Sequence, residues 1–173
     1  MQNENRVKKA IKGDDKAFEE LMSEHKENLY RTAFSYVRNE ADALDIVQET
    51  VYKAYISIDK LKEPKYFKTW ITRILINTAL THIRKGSKIV YLEDRELSEA
   101  MGTVENSVEE RLYIWEALDA LEEKHREVII LKYFNDLTIN EVAEVLKYPI
   151  GTVKTYLNKG LNKLRSIMRR DVV

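Results

Sequence analysis

The sequence predicts an all-α fold of two small helical domains, and three observations carry that prediction. Five glycines and two prolines among 173 residues are too few for the turns of a sheet-rich chain, while the helix formers Glu, Lys, Leu and Ala abound. Apolar residues recur at three- and four-residue steps along most of the chain. That periodicity fades between Tyr91 and Glu110, where seven acids (Glu93, Asp94, Glu96, Glu99, Glu105, Glu109, Glu110) stand against the single base Arg95. The chain therefore divides into a domain at 1–86, an acidic linker at 87–110 and a second domain at 111–173.

The first helical pattern runs from Asp14 to about Val37, with Phe18, Leu21, Leu29, Ala33 and Phe34 in register and Met22 and Tyr30 beside them. Arg38-Asn39-Glu40 interrupts it. A second helix begins near Ala41 and ends before Pro64, which disfavours helix at the residue before it. Its apolar positions Leu44, Val47, Val51, Ala54 and Ile58 form one stripe, predicted to be buried. Asp42, Asp45, Gln48, Glu49 and Tyr52 then face outward, with Ile46 also off the stripe. A third helix, from about Phe67 to Lys85, carries Phe67, Trp70, Ile71, Ile74, Leu75 and Thr78 on one side. Beyond the linker, Leu112, Trp115, Leu118 and Leu121 set one stripe, and Val128, Ile129, Leu131 and Phe134 a second.

The last domain ends in a helix-turn-helix pattern. Thr138 is placed to cap a helix, with Glu141 at the reciprocal position of a capping box. That helix, Ile139 to Leu146, is predicted to bury Ile139, Val142, Ala143 and Leu146. Lys147-Tyr148-Pro149 breaks it, and Ile150-Gly151-Thr152 leads into a second helix with Val153, Leu157, Gly160 and Leu164 inward. At about 100° per residue, Thr155, Asn158, Lys159, Asn162 and Ser166 lie opposite that stripe, with Lys154 on a flank. Two helices in this arrangement read duplex DNA with the second one in the major groove. Asn pairs with adenine, Lys donates to guanine, and a Thr methyl meets a thymine methyl. From Lys147 to Arg170 there are seven bases (Lys147, Lys154, Lys159, Lys163, Arg165, Arg169, Arg170) and no acid, which suits phosphate neutralisation. The plainer alternative is a solvated basic helix; the coincidence of cap, turn and acid-free second helix favours DNA.

The first domain carries a different nucleic-acid signal. Lys60 to Lys88 holds eight bases (Lys60, Lys62, Lys65, Lys68, Arg73, Arg84, Lys85, Lys88) against Glu63 alone, with Tyr66, Phe67 and Trp70 interleaved. Cations that track phosphates beside aromatic platforms suit unpaired strands. Phe67 and Trp70 fit core packing equally well, so Tyr66 is the better stacking candidate.

Composition excludes several other classes. The 29 basic and 29 acidic residues cancel, so bulk charge does not attract DNA and any contact comes from patches. No cysteine is present, which removes disulfides, thiolate nucleophiles and Cys-based zinc sites and fits a reducing compartment. The opening MQNENRVKKAIKGDDKAF has no apolar leader segment, and no run approaches the roughly 18 apolar residues of a membrane span. The expectation is a cytoplasmic protein. His25 and His125 have no partners at metal-ligand spacing, so no metal and no cofactor is predicted. Phosphodiester hydrolysis needs a carboxylate set or a positioned base; the acids here lie on one helix face or in the linker without convergence, so no enzyme is predicted.

Leu137-Thr-Ile-Asn-Glu-Val-Ala-Glu-Val-Leu146, then Gly151-Thr-Val-Lys-Thr155 and Leu161-Asn-Lys-Leu-Arg165, resemble the minus-35-reading domain of bacterial sigma factors. Asp42-Ala-Leu-Asp-Ile-Val-Gln-Glu-Thr-Val-Tyr-Lys-Ala-Tyr55 resembles the helix with which those proteins grip the polymerase clamp, and Phe67 to Ile74 with Asn77 to Lys85 resembles their melting and minus-10 segment. Two motif sets in this order, with no third domain, resemble the extracytoplasmic-function (ECF) group of the sigma-70 family. The resemblance implies promoter-specific transcription initiation with core RNA polymerase and promoter DNA as partners, a membrane-anchored anti-sigma factor as inhibitor, and no small-molecule substrate. It implies minus-35 contacts from Thr152, Lys154, Thr155, Asn158, Lys159 and Asn162. It implies minus-10 and melting contacts from Lys65, Tyr66, Lys68, Trp70, Arg73, Asn77, His82 and Arg84. Asp42, Asp45, Ile46, Gln48, Glu49 and Tyr52 are the implied polymerase contacts, and the acidic linker is implied to run toward the RNA exit path.

The chain departs from the family pattern at Thr155-Tyr156, where Ser-Arg is usual, at Lys159-Gly160, where Arg-Ala is usual, and at Ile76 and Thr81, where Arg and Asp are common. Gly160 costs roughly 1 kcal/mol in a helix interior relative to Ala; close approach of the preceding helix would offset that. The rival reading is an ordinary helix-turn-helix regulator, which binds DNA alone as a symmetric dimer, but it leaves the basic aromatic segment unexplained.

Overall fold

A computed structural model of the chain describes residues 2–86 and 108–170. Among the described residues there are eight α-helices and no strand. The chain divides into two compact units, one on each side of the undescribed stretch. The linker acids from Glu93 to Glu105, and Lys88, lie outside the described residues.

The first unit contains α1 (Gln2–Ile11), α2 (Asp15–Val37), α3 (Glu40–Tyr55) and α4 (Phe67–Gly86), with 3-10 turns at Ile58–Lys60 and Pro64–Tyr66. Helix α1 precedes the first pattern that periodicity marks out. It is polar on most of its surface, buries Val7 and Ala10, each 2% exposed, and packs half-buried Ile11 against the same core, a stretch of little more than one turn that does not stand out in the sequence. Gly13 links it to α2 with φ +90, a conformation that favours glycine. Asp14 then caps α2, accepting from the Ala17 amide at 3.0 Å. Arg38 ends α2 in the left-handed region, and Asn39 caps α3 by accepting from the Asp42 amide at 3.1 Å. These two residues explain why the pattern breaks at 38–39.

Helix α3 differs from expectation in rotation and length. Ile46 is 0% exposed and Leu44 is 41% exposed, the reverse of the predicted stripe. The buried face runs through Ala43, Ile46, Val47, Thr50 and Ala54 because α3 packs against both α2 and α4. Thr50 and Ala43 carry little apolar weight, so the heavier Leu44 and Val51 displace the apparent stripe by roughly 60°, about a sixth of a turn, at about 100° per residue. Ile46 is therefore a core residue and is withdrawn from the polymerase-facing set. The helix stops at Tyr55, and the two 3-10 turns carry the chain to α4. Leu61 and Phe67, 7% and 3% exposed, pin the two ends of that connection.

The second unit contains α5 (Val108–Asp119), α6 (Glu123–Ile129), a π-helical turn (Ile130–Phe134), α7 (Ile139–Leu146) and α8 (Ile150–Arg170). Helix α5 begins just inside the stretch read as linker. Its core comprises Leu118, Val128, Ile130, Leu131, Leu137, Val142 and Val153, none more than 2% exposed. Helix α7 has the predicted bounds but buries Val145 in place of Ile139 and Leu146, which are half-buried. No helix among the described residues is long and apolar enough to cross a membrane.

The corrected rotation of α3 is testable by denaturation. Ile46→Ala should cost about 2–5 kcal/mol, as truncation of a buried Ile does, whereas Leu44→Ala should stay within about 0.5 kcal/mol of the parent. Equal losses would restore the original stripe.

Candidate nucleic-acid interface

The duplex-reading candidate is built on the α7 cap. The Glu141 amide donates to Thr138 Oγ1 at 3.3 Å, and the Thr138 amide donates to Glu141 Oε2 at 2.8 Å, so the capping box closes in both directions. Lys147 ends α7 in the left-handed region, and the Tyr148 amide donates to the Ala143 carbonyl at 3.0 Å. Amides of Thr152 and Val153 donate to the Pro149 carbonyl at 2.9 and 3.1 Å, which starts α8 at once. Val153, Leu157 and Gly160 are buried along α8, while Lys154, Thr155, Asn158, Lys159, Asn162 and Ser166 are exposed and Thr152 is half-buried. The Thr155 hydroxyl donates to the Gly151 carbonyl at 2.9 Å, so its methyl is the group left for a base. Asn162 Oδ1 accepts from Arg165 Nη1 at 3.2 Å, which ties a predicted base contact to one of the seven basic residues of this segment.

In the first unit, Tyr66 is 45% exposed with Lys65 Nζ 4.9 Å from its ring centroid. Phe67 is core, and Trp70 is half-buried against it at 5.9 Å between centroids. The two open readings of these aromatics thus divide: Tyr66 presents a ring to solvent and Phe67 does not. Lys68 and Arg73 are half-buried, and Lys65, Asn77 and Arg84 are exposed. His82 is half-buried with Nε2 3.2 Å from Asp42 Oδ1, so a residue assigned to DNA meets one assigned to polymerase. Ile76, one of the departures from the family pattern, is 5% exposed and serves the interior.

The acidic face of α3 divides in two. Asp45, Gln48 and Tyr52 are open to solvent, Tyr52 at 64% exposure. Glu49 pairs with Lys53 at 2.7 Å, and Lys53 Nζ also donates to Thr78 Oγ1 at 3.1 Å. The Lys53 hydrogen bond holds the Glu49 carboxyl below its ordinary range. A depressed carboxyl contributes stability above its unfolded value and loses it as pH falls through the folded one, and exposure keeps this contribution small. Beside this open group lie Leu44, Tyr55 and Ile56, which are 41%, 50% and 56% exposed. Sequence reasoning missed this apolar flank because it had assigned Leu44 to the interior. Tyr55 donates to Asp15 Oδ1 at 2.9 Å, and that hydrogen bond raises its pKa.

The second unit also bears an open apolar groove of about 330 Å³, lined by Ile114, Ala117, Tyr133, Leu161, Leu164 and Met168 among others. It went unrecognised in the sequence because it draws residues from α5, the π-helical turn and α8. Among the described residues no three His, Asp or Glu side chains gather in a metal-binding cluster.

A helix-turn-helix unit following a helical unit with a basic aromatic loop defines a DNA-binding transcription protein. Comparisons with known proteins make the class specific. The family model for Sigma-70 region 2 matches residues 21–89 and that for Sigma-70 region 4 matches residues 117–166. RNA polymerase sigma factor SigV of Bacillus subtilis is 39% identical over 150 residues, covering 87% of this chain and 90% of that protein. ECF RNA polymerase sigma factor SigW of the same organism is 33% identical over 179 residues, covering 95% of each. Among solved structures, the sigma factor RpoE from Bartonella quintana, in complex with the anti-sigma factor NepR, superposes with TM-score 0.75 at 25% identity, covering 89% of this chain and 98% of that one. The chain belongs to the ECF group of sigma-70 family RNA polymerase sigma factors. It is a transcription initiation factor and not an enzyme.

The capping box makes a local prediction. Thr138→Ala removes the side-chain half of the box and should cost about 1 kcal/mol. The loss should appear as a lower urea midpoint at unchanged slope; an unchanged midpoint would show that the cap contributes nothing.

Proposed function

We propose that α8 reads the minus-35 element as duplex, that the connection at 60–68 and the outer side of α4 hold minus-10 bases unpaired, and that α3 docks on core RNA polymerase. The observation that carries this reading is the exposed face of α8. Amides and lysines occupy it, no acid interrupts it, and a fully capped α7 holds it in place. On that face Asn158, Lys159 and Asn162 meet base edges, with Thr152, Lys154 and Thr155 flanking them. In the first unit Tyr66 stacks on an extruded base, and Lys65, Lys68, Arg73 and Arg84 follow the phosphates. Trp70, Asn77 and His82 complete that surface.

Docking through α3 combines this open polar face with the exposed apolar flank. Asp45, Gln48 and Tyr52 are its centre, and Asp42 and Glu49 form the margin that turns toward α4. An apolar patch edged by charge is the pattern of a protein interface. We further propose that the chain works in the cytoplasm and is held inactive by a membrane-anchored anti-sigma factor. The anti-sigma complex of the RpoE relative supports the inhibitor, and the family resemblance supports the anchor. The acidic residues of 87–110 are assigned to the path toward the RNA exit.

Two variants separate the surfaces. Lys159→Ala should lower transcription that depends on the minus-35 element by about tenfold, the size of one lost base contact, while pull-down of core polymerase is unchanged. Equal loss on a template with altered minus-35 bases contradicts the assignment. Asp45→Arg combined with Tyr52→Ala should abolish recovery of core polymerase at an unchanged melting temperature; intact recovery removes the docking face. Tight, sequence-specific binding by the chain without polymerase would favour an ordinary regulator.

A further inference from the structure

Gly160 lies on the buried side of α8, at one of the positions where the chain departs from the family pattern. It has no left-handed φ, so conformational freedom is not what it provides. Space is. A Cβ at this position would stand 2.6 Å from Ile129 Cδ1, too close unless something shifts, and 3.3 Å from the Cβ of His125, just short of the ordinary contact range that begins at 3.4 Å. The helix that approaches is α6, not the preceding α7. Ile129 is 3% exposed and sits in a packed interior that yields little.

One turn earlier, Tyr156 occupies a second departure from the pattern. Its ring meets His125 edge-on at 5.3 Å and Tyr148 edge-on at 5.8 Å. Tyr148 belongs to the turn between α7 and α8, and the His125 side chain is 12% exposed. The two unusual residues therefore act on the same neighbour. Gly160 lets α6 come close, and Tyr156 locks α8 against both His125 and the turn.

We propose that Gly160 and Tyr156 are positioning residues that set the depth and roll of α8 on α6, and through them the reach of Asn158, Lys159 and Asn162 toward the bases. This rests on the reading of α8 as the minus-35 helix. Base contacts depend on donor and acceptor meeting within a few tenths of an ångström, whereas phosphate contacts position the protein without carrying sequence information. A lift of α8 by a fraction of an ångström thus erodes discrimination between sequences before it erodes binding to DNA as such.

The test uses holoenzyme assembled with wild type, Gly160→Ala, Ile129→Val and the double variant. Each transcribes a promoter selected by the wild-type holoenzyme in competition with a copy whose minus-35 bases are scrambled. Ile129→Val removes Cδ1, the nearest atom to the added methyl. Gly160→Ala should lower the preference for the intact promoter by about tenfold while core binding is retained. Ile129→Val alone should leave that preference unchanged, and the double variant should restore it to within about twofold, the signature of two residues in direct contact. Should Gly160→Ala fold poorly, restoration in the double variant still supports the proposal. An unchanged preference in a folded Gly160→Ala, or a double variant that is not restored, overturns it. A wild type with no minus-35 preference overturns the reading of α8 itself, which separates that failure from this one.

Discussion

A helix has one circumference, and whatever part of it the fold buries is lost to partners. In α3 this constraint is set by Ile46 and Thr50, both fully buried between α2 and α4. Their burial turns Asp45, Gln48 and Tyr52 outward and carries Leu44 out beside them. The same logic governs α8, where Val153, Leu157 and Gly160 are inward and Asn158 and Lys159 are free. On the proposed reading, function in both units is thus a consequence of rotation about a helix axis. A change of two residues in the phase of either helix, about 200°, would exchange its exposed face for its core.

The interior that imposes this phase is unusually rich in threonine. Thr32, Thr50, Thr69, Thr72 and Thr78 are each at most 2% exposed. A buried hydroxyl is tolerated when it finds a partner, and here the helices supply partners locally. Thr32 donates to the Asn28 carbonyl and Thr50 to the Ile46 carbonyl, each at 2.7 Å. Thr78 accepts from Lys53, which in turn holds Glu49. A polar core position on α4 is thereby tied to the acidic margin of α3, next to the contact between His82 and Asp42. The proposed DNA surface and the proposed polymerase surface meet along this seam.

How much of this was legible in the sequence depended on how many neighbours each helix has and how local its signals are. Helix α7 was readable to the residue because Thr138 and Glu141 declare its start and Lys147-Tyr148-Pro149 its end. The exposed face of α8 was readable because its apolar stripe is narrow and its opposite side holds no acid. The rotation of α3 was not, since a helix wedged between two others buries a broad face and fills it with small residues such as Ala43 and Thr50. Helix α1 was missed because its core contacts, Val7, Ala10 and half-buried Ile11, span little more than one turn, too short a run for periodicity to mark out. The approach of α6 to Gly160 and the pairing of His82 with Asp42 join positions far apart in the chain, and only the folded arrangement brings them together.

Charge completes the argument. With 29 bases and 29 acids, the chain as a whole exerts little long-range pull on DNA, although affinity for nucleic acid grows with each phosphate neutralised. The bases are concentrated instead on α8 and on the segment from Lys60 to Lys85, while acids occupy the outward side of α3. On the proposed reading this distribution gives each surface a sign suited to its partner, and it leaves the free protein a weak competitor for random DNA. On that same reading, the few directional groups on α8 and beside Tyr66 select a sequence only when α3 is engaged and polymerase contributes its own contacts. Specificity would then reside in geometry held by packing, and the proposed role of Gly160 follows from its seat against Ile129 on the neighbouring helix.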